Sequence, residues 1–118
     1  YQKMSHSYPG YGIPDDELKR MILIESILVS DLSSPPPSIA ELSRIAMMSI
    51  TKLKSTFKKI YHYGLYEYYQ KNRMLKARQL LSSKSISVKE VGLELGFKNL
   101  SNFTIAFKKE FNILPSQL

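Results

Sequence analysis

The sequence predicts an all-α domain of six helices, or seven if a short one follows Pro115. Three observations predict it. No segment alternates apolar and polar residues over a strand's length. Apolar residues instead recur every three or four positions in successive stretches. One such stretch also repeats another about fifty residues later.

Residues 1–13 carry Gly, Pro and scattered Tyr, Ser and His without a period, and read as a flexible arm or linker. Pro14-Asp15-Asp16-Glu17 opens the first helix: Pro suits the first turn and the carboxylates face the positive end of the helix dipole. Its apolar positions are Leu18, Met21, Ile22, Ile24, Ile27 and Leu28, and Pro35-Pro36-Pro37 forces it to stop near Asp31–Ser34. Ser38 caps a two-turn helix over 39–46 with Ile39, Leu42, Ile45 and Ala46 inward. Met47-Met48 breaks it. Ser49 caps the next helix, where Leu53, Phe57 and Ile60 recur, and Gly64 is its expected C-cap. A long helix over about 65–81 uses Leu65, Tyr68, Tyr69, Met74, Leu75, Ala77, Leu80 and Leu81. After a Ser-rich loop, Ser87 caps 88–95 and Gly96 ends it. Asn99 or Ser101 caps the last full helix, which buries Phe103, Ala106, Phe107 and Phe111. The resulting division is an arm over 1–13 and one domain over 14–118.

Composition bounds the function. The chain has 118 residues, one domain's worth. It has no Cys, which removes disulfides, thiolate catalysis and Cys-based zinc sites. The two His, His6 and His62, form no metal-ligand spacing, so no cofactor or metal is expected. No nucleophile–base–orienter set exists, so an enzyme is not expected. No apolar run approaches a membrane span: Met21-Ile22-Leu23-Ile24, the candidate, is cut by Glu25. The chain begins at Tyr1 and reads as a piece of a longer protein. The formal charge is +7, unevenly spread. Residues 1–37 hold three basic and five acidic residues, whereas residues 38–118 hold 14 basic and five acidic. Such a segment fits a polyanion partner or a solvated surface, and charge alone does not choose.

The repeat narrows the choice. Phe57-Lys58-Lys59-Ile60-Tyr61 recurs as Phe107-Lys108-Lys109-Glu110-Phe111, an offset of 50 that also relates Leu53 to Phe103. Leu42 pairs with Val91 at an offset of 49. Each copy is a short helix, a tight turn and a basic helix: a helix-turn-helix at about 38–61 and again at about 87–111, joined by the 65–81 helix. A helix fits the DNA major groove, where each base pair shows its own donor and acceptor pattern. The first helix of the motif braces the second, whose N-terminal residues reach base edges. The second helix therefore needs a polar, basic outer face. On helix 49–60 that face is Thr51, Lys52, Lys54, Ser55 and Lys58; on helix 100–110 it is Ser101, Asn102, Ile105 and Lys108. A linking helix of about 17 residues spans about 26 Å, against about 34 Å between adjacent groove turns. One chain can thus place both helices in successive major grooves.

The run from Gly96 to Pro115 resembles the pattern G-F-x-x-x-S-x-F-x-x-x-F-K-x-x-F-G-x-x-P of the AraC/XylS family of bacterial transcription regulators, with Asn112 in place of one Gly. Arg73-Met74-Leu75-Lys76-Ala77-Arg78-Gln79-Leu80-Leu81 resembles the family's R-x-x-x-A-x-x-L-L. The likeness covers about 38–118. It departs at Ser43, where the family usually has Ala, at Met47, where it often has Gly, and at Ile105, where it often has a base-reading Arg. The resemblance implies a seven-helix, sequence-specific binder of double-stranded DNA in the cytoplasm, associated with the nucleoid. It also implies a separate effector-sensing domain in the parent protein, and contact with RNA polymerase when that protein acts as an activator. A helical protein-interaction module, binding a partner helix or peptide with little salt dependence, is the rival reading. The tyrosines Tyr61, Tyr63, Tyr66, Tyr68 and Tyr69 read as packing at a helix junction rather than as base-stacking platforms.

Overall fold

The computed structural model describes residues 7–8, 12–83 and 85–118. Six α-helices follow one another: α1 (Asp15–Ser30), α2 (Ile39–Ala46), α3 (Ile50–Tyr61), α4 (Leu65–Ser82), α5 (Val88–Glu94) and α6 (Leu100–Phe111). The expected seventh helix is a 3-10 turn, Pro115–Gln117, rather than an α-helix. The strand-free expectation needs one correction. Ser7–Tyr8 (β1) pairs antiparallel with Ile13–Pro14 (β2), Ser7 opposite Pro14 and Tyr8 opposite Ile13. Two residues per strand are too few to show a period of two. Gly12 turns at φ 65°, and Ile13 is buried. Most of the arm expected over 1–13 lies outside the described residues.

The helix starts follow local chemistry. The hydroxyls of Ser38, Ser49 and Ser87 accept the N–H of Glu41, Lys52 and Glu90, and the Asn99 side chain accepts that of Asn102. Each satisfies one of the four donors that a helix start leaves open. The Glu90 carboxylate also accepts the Ser87 N–H, and this bond holds its pKa below the ordinary value.

The chain divides into two compact units: Tyr1–Ser30 with Pro36–Tyr68, and Asp31–Pro35 with Tyr69–Leu118. In the first, α1 packs on α2 and α2 on α3; Met21, Ile24, Leu28, Leu42, Ala46, Leu53 and Phe57 are buried. In the second, Met74, Ala77, Leu81, Val91, Leu95, Phe103 and Phe107 form one buried cluster. These two sets correspond one to one. Three pairs from α1 and α4 stand 53 residues apart, two from α2 and from α5 with its C-cap Leu95 stand 49 apart, and two from α3 and α6 stand 50 apart. The repeat is therefore a three-helix unit, not the two-helix motif alone.

The turns repeat as well. After α2, Met47 takes φ 55°, and the N–H groups of Met47 and Met48 donate to the carbonyls of Arg44 and Ser43. After α5, Gly96 takes φ 84°, and Gly96 and Phe97 donate to Leu93 and Gly92. Each bond in the second turn is displaced by 49 residues from its counterpart. Likewise His62 and Asn112 close α3 and α6 in the left-handed region, donating to Lys58 and Lys108.

Some expectations are corrected. Gly64 is not the C-cap of α3: His62 takes that role at φ 72°, while the Gly64 N–H donates to Glu67 Oε1 ahead of α4. Ile22, Ile45 and Leu75, expected inward, are exposed. On α1 the buried positions are Met21, Ile24 and Leu28, a stripe of about one residue per turn that leaves Ile22 to one side. Three of the five tyrosines pack as expected, while Tyr63 and Tyr66 are exposed: Tyr61 and Tyr68 stack around Phe57, Tyr68 donates to Glu25 at 2.7 Å, and Tyr69 donates to the Ser34 carbonyl at 2.6 Å. No helix among the described residues is long and apolar enough to cross a membrane.

Candidate nucleic-acid interface

In the first unit, α3 buries Leu53, Thr56 and Phe57 and turns its other side outward. Thr51, Lys52, Lys54, Ser55 and Lys58 are all exposed. With Ser49 as N-cap, Thr51 and Lys52 fall in the first turn, where a groove-inserted helix meets base edges. Lys54 and Lys58 lie four residues apart along one side. Neither is ion-paired among the described residues. Lys52 Nζ, however, lies 3.0 Å from Glu17 Oε2 of α1. The Ser55 hydroxyl turns back toward the Lys52 carbonyl at 3.4 Å.

In the second unit, α6 buries Phe103 and Phe107. Ser101, Asn102, Ile105 and Lys108 are exposed, Ile105 to 67%. They stand 50 residues beyond Thr51, Lys52, Ser55 and Lys58, at the same places of their helix. The two faces are thus one design with different chemistry: a lysine against Asn102, a hydroxyl against Ile105. Thr104, the counterpart of Lys54, is partly buried.

Each motif is braced by an arginine. Arg20 Nη1 of α1 donates to the Ala46 carbonyl at 2.9 Å, and Arg73 Nε of α4 donates to the Leu95 carbonyl at 2.8 Å. Ala46 and Leu95 are the same position of the repeat, the end of the first helix of the motif, where carbonyls lack partners and the dipole is negative. Arg73 also lies over the Phe97 ring, 3.8 Å from its centroid. Burial pulls its pKa below the ordinary arginine value, and Tyr69 offsets this in part. Sequence reading placed Arg73 in a family pattern but missed the role of Arg20. The signal was there: Arg20-Met21 and Arg73-Met74 begin the matching stretches of α1 and α4.

Two further features flank these faces. A groove of about 450 Å³ is lined by Gly12, Ile13 and Glu17 on one side and by Thr51, Lys52 and Lys59 on the other. In the second unit a smaller cavity of about 240 Å³ is lined by Gly92, Leu93, Phe97 and Leu100.

The helix-turn-helix domain family matches residues 42–118. A solved transcriptional regulator from Chromobacterium violaceum, of proteins containing an AraC-type DNA-binding domain, superposes with a TM-score of 0.66 at 26% identity. That match covers 87% of this chain and 88% of the solved one. The chain belongs to the AraC-type helix-turn-helix family. As a member of this AraC-type family it is a sequence-specific DNA-binding domain. The regulator GbdR of Pseudomonas aeruginosa is 34% identical over 80 residues, 68% of this chain. The chain spans only 22% of GbdR's length. The DNA-binding domain of AdpA, a global transcriptional factor solved with a target DNA, shares the AraC-type fold. Its TM-score is 0.71 at 19% identity, covering 83% of this chain and 87% of that one.

Proposed function

We propose that this domain reads double-stranded DNA with α3 and α6 in successive major grooves of one duplex, as a single chain. The contacts are Thr51, Lys52, Lys54, Ser55 and Lys58 from α3, and Ser101, Asn102, Ile105 and Lys108 from α6. The observation that carries this reading is the repeat itself. Two units, each with an arginine capping the brace helix, present the same positions of their second helix to solvent. The lysines without ion-pair partners among the described residues supply phosphate attraction, and the first-turn residues supply base readout. Residues 14–118 form the domain, and residues 1–13 connect it to an effector-sensing domain elsewhere in a bacterial, cytoplasmic, nucleoid-associated parent. Where that parent activates transcription, RNA polymerase is a second partner. The role is regulatory and needs no cofactor.

Selection of bound sites from random duplex DNA tests this. Two half-motifs about one helical turn apart are expected, with one chain per site by gel filtration. A complex containing only two chains per short site overturns the single-chain arrangement. Binding that is indifferent to salt favours the rival protein-interaction module, because a binder of several phosphates loses affinity steeply as salt rises.

A further inference from the structure

The first turn of α1 holds three carboxylates, Asp15, Asp16 and Glu17. Asp15 pairs with Lys19 at 3.8 Å and Asp16 with Arg20 at 2.8 Å, both one turn along the same helix. Glu17 alone of the three reaches out of its helix. It meets Lys52 on the first turn of α3 at 3.0 Å, and its side chain is only 17% exposed. Both residues line the groove beside the outer face of α3. An acid so placed is unfavourable for affinity, because any approaching phosphate meets its charge. Stability does not explain it either, since an ion pair with a half-exposed lysine contributes little.

We propose that Glu17 is a specificity-determining residue. Its carboxylate neutralises Lys52 and holds the ammonium at the first turn of α3, so that this lysine discriminates among base edges instead of attracting any phosphate. Lys54 and Lys58, further along α3, supply the general attraction. A lysine already paired releases no net counterion on meeting a phosphate, so it adds little to binding of random sequence. At the right base edge it is pre-positioned, and less side-chain freedom is lost on contact. This inference rests on the reading of α3 as a groove helix.

The experiment titrates fluorescent duplexes, one carrying the selected site and one scrambled, at several salt concentrations. The proteins are the wild-type domain, Glu17→Gln, Lys52→Met, the double variant and Asp15→Asn. Glu17→Gln is expected to tighten binding to the scrambled duplex several-fold and to steepen its salt slope by about one. The selected site gains less, so the specificity ratio falls several-fold. In the Lys52→Met background, Glu17→Gln removes an unpaired carboxylate and is expected to tighten both duplexes alike, leaving the specificity ratio unchanged. Asp15→Asn removes the same charge without freeing Lys52, and is expected to leave the ratio unchanged. Equal tightening on both duplexes by Glu17→Gln in the wild-type background, or a fall in the specificity ratio that survives Lys52→Met, overturns the proposal. A wild-type domain that binds both duplexes alike overturns the reading of α3 as well. A wild-type domain that discriminates, with no Glu17–Lys52 coupling, overturns this inference alone.

Discussion

Arg73 and Leu95 are joined by a 2.8 Å hydrogen bond from the guanidinium Nε to the carbonyl that ends α5. The same guanidinium covers the Phe97 ring. A hydrogen bond from a charged donor contributes about 1.5–3 kcal/mol, and a cation over a ring adds about 0.5–1 kcal/mol or more. Arg73→Ala should therefore cost about 2–3 kcal/mol, read by urea unfolding. Arg73→Lys should recover less than half of that, because a point charge cannot both donate in plane and stack. A lysine variant as stable as wild type would show that only charge matters here.

Met47 and Gly96 occupy the same left-handed position, and substitution should act on them in opposite directions. A Cβ on Gly96 would collide with the Ser33 carbonyl oxygen, within the second unit. Gly96→Ala adds that clash to a backbone strain of about 1–3 kcal/mol, so the domain should be severely destabilised. Met47 is 76% exposed, so little packing is lost when it is removed. Met47→Gly relieves left-handed strain of about 1–2 kcal/mol, against the added freedom of glycine in the unfolded chain. A gain of about 0.5 kcal/mol is expected, seen as a higher melting temperature.

Phe57 and Phe107 are fully buried, each on the inner face of the helix proposed to enter DNA. Truncation of a buried Phe costs about 3–5 kcal/mol, a large share of a small domain's stability. Phe57→Ala and Phe107→Ala should lose DNA binding in step with loss of fold. Circular dichroism melts should track the binding loss; an unchanged melt in either variant contradicts the core seen here.

On α3, Lys54→Ala and Lys58→Ala should weaken binding to every sequence, each lowering the salt slope by about one. Thr51→Ala and Ser55→Ala should instead change preference at particular bases, a readout worth about 1–3 kcal/mol per good contact. Repeating the site selection with each variant separates the two effects. Four silent substitutions would place α3 outside the groove.

Ile105 is the exposed apolar residue on the outer face of α6. It has no donor for guanine but can pack against a thymine methyl. The half-site read by α6 should lean to A·T and be the more degenerate of the two. Ile105→Arg should raise affinity and shift that half-site toward G. A sharp, G-rich second half for the unmodified protein would count against this.

Local order was legible in the residues alone. Ser38, Ser49, Ser87 and Asn99 cap helices because a side-chain oxygen reaches the N–H three residues ahead, an interaction contained in four consecutive residues. The helix-turn-helix repeat was legible because large apolar residues must recur where each helix enters its core. The exposed face of α3 and α6 followed as the remainder of that period, and all nine residues expected there are exposed. The tertiary structure alone decided what crosses between helices. It put α1 in the repeat, where an Arg-Met pair and four further apolar positions, Ile22, Ile24, Ile27 and Leu28, match α4. It gave the left-handed turns to Met47 and His62, against the preference for glycine that pointed to Gly64. It also paired Glu17 with Lys52 and Lys71 with Glu110, 35 and 39 residues apart. Such pairs depend on how helices pack, and packing responds to summed apolar burial across a whole unit, which no short window of sequence contains.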